Sequence, residues 1–309
     1  MALAAATTGT KHKRWSRARR REALLGLAFV SPALVGFVVF NVGPILASLA
    51  LSFTEYNVLS RSPAWIGVEN YLNVFSDRLF NTSLANTLYY TLFRIPLSLV
   101  LAFALALLVK RSTAASTAYR SAIYIPSIVP GVGAAIVWLV IFNPQSGLLN
   151  RGLELIGIEG PGWLMSPVWA KPAIILMNLW QTGGTFIIFL AGLQEIPAEY
   201  YEAAIVDGAS RWQTLRKITV PLMTPVILFN AVMESIYAFQ VFEAAFITTG
   251  GGPLRATYFL ALYVYDNAFK FLKMGFASAI SWVMFVMIMA FSLLLLRSSR
   301  RWVYYGGGR

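Results

Sequence analysis

Six stretches of the chain are apolar almost without interruption, and each is long enough to cross about 30 Å of hydrocarbon as a helix. They run over residues 24–53, 83–109, 121–142, 170–193, 220–248 and 274–296. Apolar positions within them are continuous and do not alternate with period two, which argues for helices and against a membrane barrel. The pattern predicts an all-α integral membrane protein with six transmembrane helices. The first run is too long for a signal peptide, and no small-residue cleavage site closes it. It is read as a spanning helix behind a basic tail, residues 1–23.

Composition agrees with this pattern. Of 309 residues, 58% are hydrophobic and 12% charged, against about a quarter charged in soluble domains. The net charge of +12 falls where a multi-pass protein keeps it. With the N-terminus inside, segments 1–23, 110–120, 194–219 and 297–309 carry 17 of the 25 Lys and Arg residues, and the outer loops carry 7. Arg94 lies within the second span. That asymmetry places both termini in the cytoplasm. Trp15, Trp163, Trp169, Trp302, Tyr304 and Tyr305 fall near the expected membrane interfaces. The basic tail abuts a span and lacks interleaved aromatics beyond Trp15, so its expected neighbour is lipid and not nucleic acid. Cysteine is absent and the one histidine, His12, sits in the tail. Disulfides, thiolate metal sites, a Ser-His-Asp triad and His-rich zinc sites are thereby excluded, and an intramembrane enzyme would have little to work with.

The loop between spans four and five stands out. Pro197 is placed to open a helix at Ala198 or Glu199, with Tyr201, Ala204 and Ile205 on related faces. Gly208 ends it as a left-handed glycine would. Ser210 caps a second helix over 210–218, and Pro221 opens span five. The expected result is a helix–turn–helix across the cytoplasmic mouth, residues 198–219.

Glu202-Ala203-Ala204, three residues, Gly208, nine residues, then Ile218-x-Val220-Pro221 resembles the EAA loop of ABC importer permeases. Val220 replaces the usual Leu, and Asp207-Gly208-Ala209 strengthens the match. The block from Phe239 through Phe242 to Gly250-Gly251-Gly252-Pro253, followed by Phe276–Ser281, is similar to the carbohydrate branch, the maltose- and glycerol-phosphate-type components. Ser31-Pro32, Gly43-Pro44, Gly67–Tyr71 and Tyr124-Ile125-Pro126 fit as well, so the likeness runs from about Leu24 to Arg297.

The resemblance implies a type I ABC importer permease fold, with spans two to six as core, in a bacterial-type plasma (inner) membrane. It implies a second permease, a different chain by the family's habit. It further implies two ATPase subunits that carry ATP and Mg, and an extracytoplasmic substrate-binding protein that delivers a carbohydrate. This chain would hold no cofactor and no metal and catalyse nothing itself, since no Walker A sequence occurs in it. Glu202, Ala203, Ala204, Asp207, Gly208, Ile218 and Pro221 would dock the ATPase: the alanines allow close approach, Glu202 offers a charge-assisted contact and Gly208 permits the turn.

Candidate pathway residues come from polar and aromatic side chains inside spans. Glu234, Gln240 and Glu243 lie in span five among Tyr237 and Phe239, and Trp180-Gln181 lie in span four. Acceptors and flat rings suit a sugar; interhelical hydrogen bonding and plain packing are the competing readings. On a continuous helix Ile236, Gln240 and Glu243 share a face and Glu234 points elsewhere. Arg94 either pairs with a carboxylate or reaches toward a headgroup. Gly250–Pro253 reads as a rigid turn on the binding-protein face. Gly131-Val132-Gly133 lacks the third glycine of a dinucleotide fingerprint and reads as packing. The alternative function is an ion-coupled secondary transporter using Glu234 and Glu243, although no internal repeat supports it.

Overall fold

The computed structural model describes residues 17–59, 62–110 and 116–304. Most of the basic tail, with Lys11, His12, Lys13, Arg14 and Trp15, lies outside the described residues, as do Arg61, Arg111 and Tyr305. The chain divides into two compact units, Met1–Ala50 and Leu51–Arg309.

In the first unit α1 (Arg17–Phe37) passes through a π-helical turn at Val38–Val42 into α2 (Gly43–Ser52). Helix therefore begins inside the segment expected to be tail. The π-turn has a local cause. Pro44 has no N–H to give to Phe40, and its ring would meet that carbonyl, so the ladder widens by one residue and the Gly43 N–H bonds Val38 O instead.

The second unit opens with a two-residue ribbon, β1 (Thr54–Glu55) and β2 (Ala64–Trp65), then α3 (Glu69–Ser76). Gly67 turns the chain at φ +62. Asn70 Nδ2 then donates to Ser52 O and Thr54 O at 2.9 Å, and Tyr71 hydrogen-bonds Ser52 at 2.7 Å, all within the second unit, which starts at Leu51. α4 (Arg78–Leu108) starts five residues before the expected span because Asp77 caps it, accepting from the Leu79 N–H at 2.6 Å.

Spans three and four are not straight. α5 (Ser116–Tyr124) and a 3₁₀ turn meet α6 (Gly131–Ile141) at 100°. Pro130 forces Val129 into extended backbone, ψ 124, which no helix tolerates. After the short α7 (Leu148–Glu154), α8 (Ala170–Leu179) and α9 (Gly183–Glu195) meet at 47° across Trp180-Gln181-Thr182. α10 (Ala198–Val206) and α11 (Arg211–Thr214) form the inter-span loop, and a second π-turn at Leu215–Thr219 leads into α12 (Val220–Phe239). Here Pro221 plays the part of Pro44: the Val220 N–H bonds Leu215 O. α13 (Glu243–Thr248), α14 (Leu260–Tyr265) and α15 (Met274–Ser299) complete the chain.

Among the described residues four helical stretches are long and apolar enough to span a membrane, or up to six when each bent pair counts as one crossing. In the second unit, one buried cluster joins α6, α8 and α13 through Trp138, Ile174 and Ala245. Another joins α4, α9 and α12 through Ala102, Ala106, Phe186, Phe189 and Met223. A third packs α3, α14 and α15 through Val74, Leu260 and Ile280.

Candidate functional site

A polar group inside an apolar bundle must find partners or face a cavity. Glu234 does both. It is 4% exposed, and its carboxylate takes an ion pair from Arg94 on α4. It also accepts from Ser98 at 3.0 Å and from Thr185 on α9 at 2.5 Å. Three helices thus meet at one carboxylate, and Arg94 finds the acidic partner that was one of its two expected fates.

Around this knot opens a cavity of about 650 Å³. Gln181, Glu234, Tyr237, Gln240 and Glu243 line it. Two expected pathway residues do not. Phe239 is buried against Phe291 of α15, because α12 turns that position toward the bundle. Trp180 packs edge-on against Trp138, while Gln181, about 100° away on the helix, lines the cavity.

The continuous-helix reading of span five also fails. α12 stops at Phe239, and Gln240–Phe242 leave helical geometry before α13 starts at Glu243. Ile236 therefore does not share a cavity face with Gln240 and Glu243, whereas Glu234 joins them. Gly131 and the Glu243 carboxylate lie so close that a Cβ at 131 would collide with it. Gly131 is thus the seat of a side chain from another broken span, beyond the packing role expected of it. Gln181 Nε2 donates to Val129 O at 3.0 Å and Ser127 Oγ donates to Gln181 O at 3.2 Å, clasping the breaks of spans three and four together. Tyr90, Ser127, Asn178, Thr185 and Asn230 also line the cavity and were missed. Asn178 and Asn230, polar positions deep inside apolar runs, were the available signal. Among the described residues no cluster of His, Cys, Asp or Glu is placed to hold a metal ion.

The inter-span loop has the expected frame. α10 covers Ala198–Val206, and Gly208 sits at φ +69, where a side chain is disfavoured. Ser210 caps α11 in a reciprocal capping box with Gln213. The second helix is shorter than expected, four residues before the π-turn that contains Ile218 and precedes Pro221. Ala204 is buried and Tyr201 half-buried, with Lys110 over its ring at 3.8 Å. Ile205 does not join that face: it is 75% exposed and Val206 87%. Glu202, Ala203 and Asp207 are exposed beside them.

Gly250 and Gly251 take φ +58 and +90, and a Cβ at 251 would press into the Tyr258 ring. The turn through Gly252 and Pro253 is fastened by Thr257, which donates to Gly252 O at 2.7 Å. Asn86 on α4 donates to Arg255 O at 2.8 Å. Burial, with donation to Asp266 at 2.8 Å, pushes the neighbouring Tyr258 phenol above its usual range, so it remains a donor.

Residues 94–303 match the family described as binding-protein-dependent transport system inner membrane component. The chain is 42% identical to a probable ABC transporter permease protein, YesP, of Bacillus subtilis, covering 94% of this chain and 95% of that one. It is 35% identical to the sulfoquinovosyl glycerol transport system permease SmoG of Agrobacterium fabrum, with 93% and 94% covered. It is 32% identical to the trehalose/maltose transport system permease MalF of Thermococcus litoralis, with 92% and 97% covered. Among solved structures it resembles a chain of a bacterial alginate ABC transporter in complex with alginate pentasaccharide-bound periplasmic protein. There the TM-score is 0.82 at 25% identity, over 94% of this chain and 98% of that one.

Proposed function

The chain belongs to the family of inner membrane components of binding-protein-dependent transport systems, and on that premise we propose that its central cavity is the path of a carbohydrate. It is a carbohydrate-import permease of the type I ABC importer fold, a transporter subunit and not itself an enzyme. The observation that carries this reading is the likeness, over 93% and 92% of the chain, to permeases named for sulfoquinovosyl glycerol and for trehalose and maltose. It works with a second permease, ATPase subunits and an extracytoplasmic binding protein. The ion-coupled alternative is not supported: the family, the relatives and the solved structure all point to import with a binding protein.

In this reading, Gln181, Glu234, Tyr237, Gln240 and Glu243 give the cavity its polar and aromatic surface. The exposed face of α10, with Glu202, Ala203 and Asp207, docks the ATPase. Ala204 anchors that helix from behind, Gly208 turns the chain, and Ile218 with Pro221 joins the loop to α12. A short rigid helix of this kind carries a rigid-body movement of its partner into α12. ATP and Mg reside on the ATPases, whose hydrolysis switches access to the cavity. Gly250–Pro253 forms a fastened turn on the face that meets the binding protein. Both termini are cytoplasmic, which the charge asymmetry supports.

The test is ATP hydrolysis by the complex purified through this chain into nanodiscs, with its binding protein and a panel of sugars. Stimulation by one carbohydrate class is expected. Absence of any copurifying ATPase, with ion-gradient-driven uptake by this chain alone, would overturn the reading.

A further inference from the structure

The relatives leave the charge of the substrate open: one solved neighbour imports the acidic polysaccharide alginate, while a relative is named for trehalose and maltose. The hydrogen-bond inventory of the cavity wall bears on that choice. Asn178 and Asn230 spend an amide N–H on Ile174 O and Val226 O, at 2.8 and 3.2 Å. Gln181 spends one on Val129 O. The hydroxyl protons of Ser127 and Thr185 go to Gln181 O and Glu234. Each amide keeps one N–H beside the two lone pairs of its oxygen, so acceptor sites on these five residues outnumber their remaining donors, and Glu243 adds a carboxylate that only accepts when ionised. Tyr237 and Gln240 retain donors but no charge.

An anionic group needs the opposite: cations or several convergent N–H donors. Among the described residues the one cation lining the cavity is Arg94, and Glu234 holds it in an ion pair. Two other features of the wall favour an anion, the first turns of α9 and of α6. At α9 the Thr185 hydroxyl already bonds the Glu234 carboxylate. At α6 the Glu243 carboxylate already lies against Gly131.

We propose that the wall this chain gives to the cavity receives an uncharged, hydroxyl-bearing surface of the carbohydrate and turns anionic groups away. Glu234 enforces this by withdrawing Arg94 from the ligand. A sugar's hydroxyls are donors matched to a wall of acceptors, whereas a carboxylate or sulfonate would face oxygen. The inference deepens the carbohydrate reading and rests on it for the identity of the ligand, while the sign of the wall is measurable without any sugar.

The chain has no cysteine, so one introduced thiol reports its own surroundings. In the full complex, with any partner cysteines removed, Tyr237→Cys places it at an exposed cavity position, and Leu155→Cys, at an 88% exposed site, is the control. The probes are neutral methyl methanethiosulfonate and anionic sulfonatoethyl methanethiosulfonate. Relative to the control, the anionic reagent is expected to lag the neutral one at position 237 by roughly tenfold, the order of one unpaired charge. Glu243→Gln should narrow that gap. Glu234→Gln, which frees Arg94, should close or reverse it, and adding Arg94→Gln to that variant should restore it. Equal labelling by both reagents at position 237, or a gap that ignores Glu243→Gln, would overturn the proposal. Glu243 has no internal bond to lose among the described residues, so its arm stands even if Glu234→Gln folds poorly. Failure of every sugar to stimulate ATP hydrolysis would instead count against the carbohydrate reading and leave the labelling result intact.

Discussion

Arg94 and Glu234 are a buried pair whose energetics are asymmetric. Desolvating both charges consumes most of what their attraction returns, so the pair adds little net stability, yet removing one partner leaves an isolated buried charge. Glu234→Leu is therefore expected to destabilise by about 3–5 kcal/mol. The double variant Arg94→Leu/Glu234→Leu should recover most of that loss, as read by thermal unfolding in detergent. Similar instability of the single and double variants would mean that the helices are not organised around the pair. Much of this was legible at residue scale: an intramembrane Arg demands a partner, and span five offered two carboxylates. Which of them it took was not legible, because the choice depends on where the helices end. Arg94 pairs with Glu234, and Glu243 stands beyond Gln240–Phe242, which leave helical geometry at a site where neither Pro nor Gly marks a break. Residues three or four apart share a face only while the helix continues. Trp180 and Phe239 lie off the cavity for another reason: their rings pack against Trp138 and Phe291.

At the scale of elements, the chain's punctuation was the most readable part. Pro197, Gly208 and Ser210 act through their own backbone and immediate neighbours, and the loop they frame has the expected start, turn and cap. What eluded the pattern were geometries that a proline imposes on a continuing helix. Pro44 and Pro221 each leave a π-turn behind them, and Pro130 a 100° bend. Hydropathy counts apolar residues and is blind to the direction they run. For Gly208, at φ +69, a β-branched residue costs about 1–2 kcal/mol of local strain. No Cβ contact arises there, so Gly208→Val should leave membrane insertion intact and distort the approach of α10 to α11. The expected phenotype is a complex that still hydrolyses ATP but no longer matches hydrolysis to uptake, measured as moles of ATP per mole of sugar in proteoliposomes. A normal ratio would remove the loop from the coupling path. Gly131→Ala tests a different break. Its Cβ would displace the Glu243 carboxylate, and a loss of uptake comparable to that of Glu243→Gln is expected, without loss of assembled complex.

For the whole molecule the decisive quantity is the side on which each loop lies, because docking and delivery must occur on opposite faces. The exposed apolar residues Ile205, Val206 and Trp212 of the inter-span loop belong in water only if a protein covers them, and on the proposed reading the Gly250–Pro253 turn meets the binding protein on the other side. Six crossings put these two features on opposite faces whatever the absolute orientation, since a single span separates them. On the proposed orientation, which the Lys and Arg asymmetry supports, the loop is cytoplasmic. The absence of cysteine makes the prediction direct. In right-side-out vesicles, a thiol placed at Leu254, 88% exposed, should react with an impermeant reagent before lysis. One placed at Val206 should react only after lysis, and then more slowly when the ATPase is bound than when it has been stripped. Reaction at Val206 from outside would invert the topology, and with it every assignment of a partner to a face.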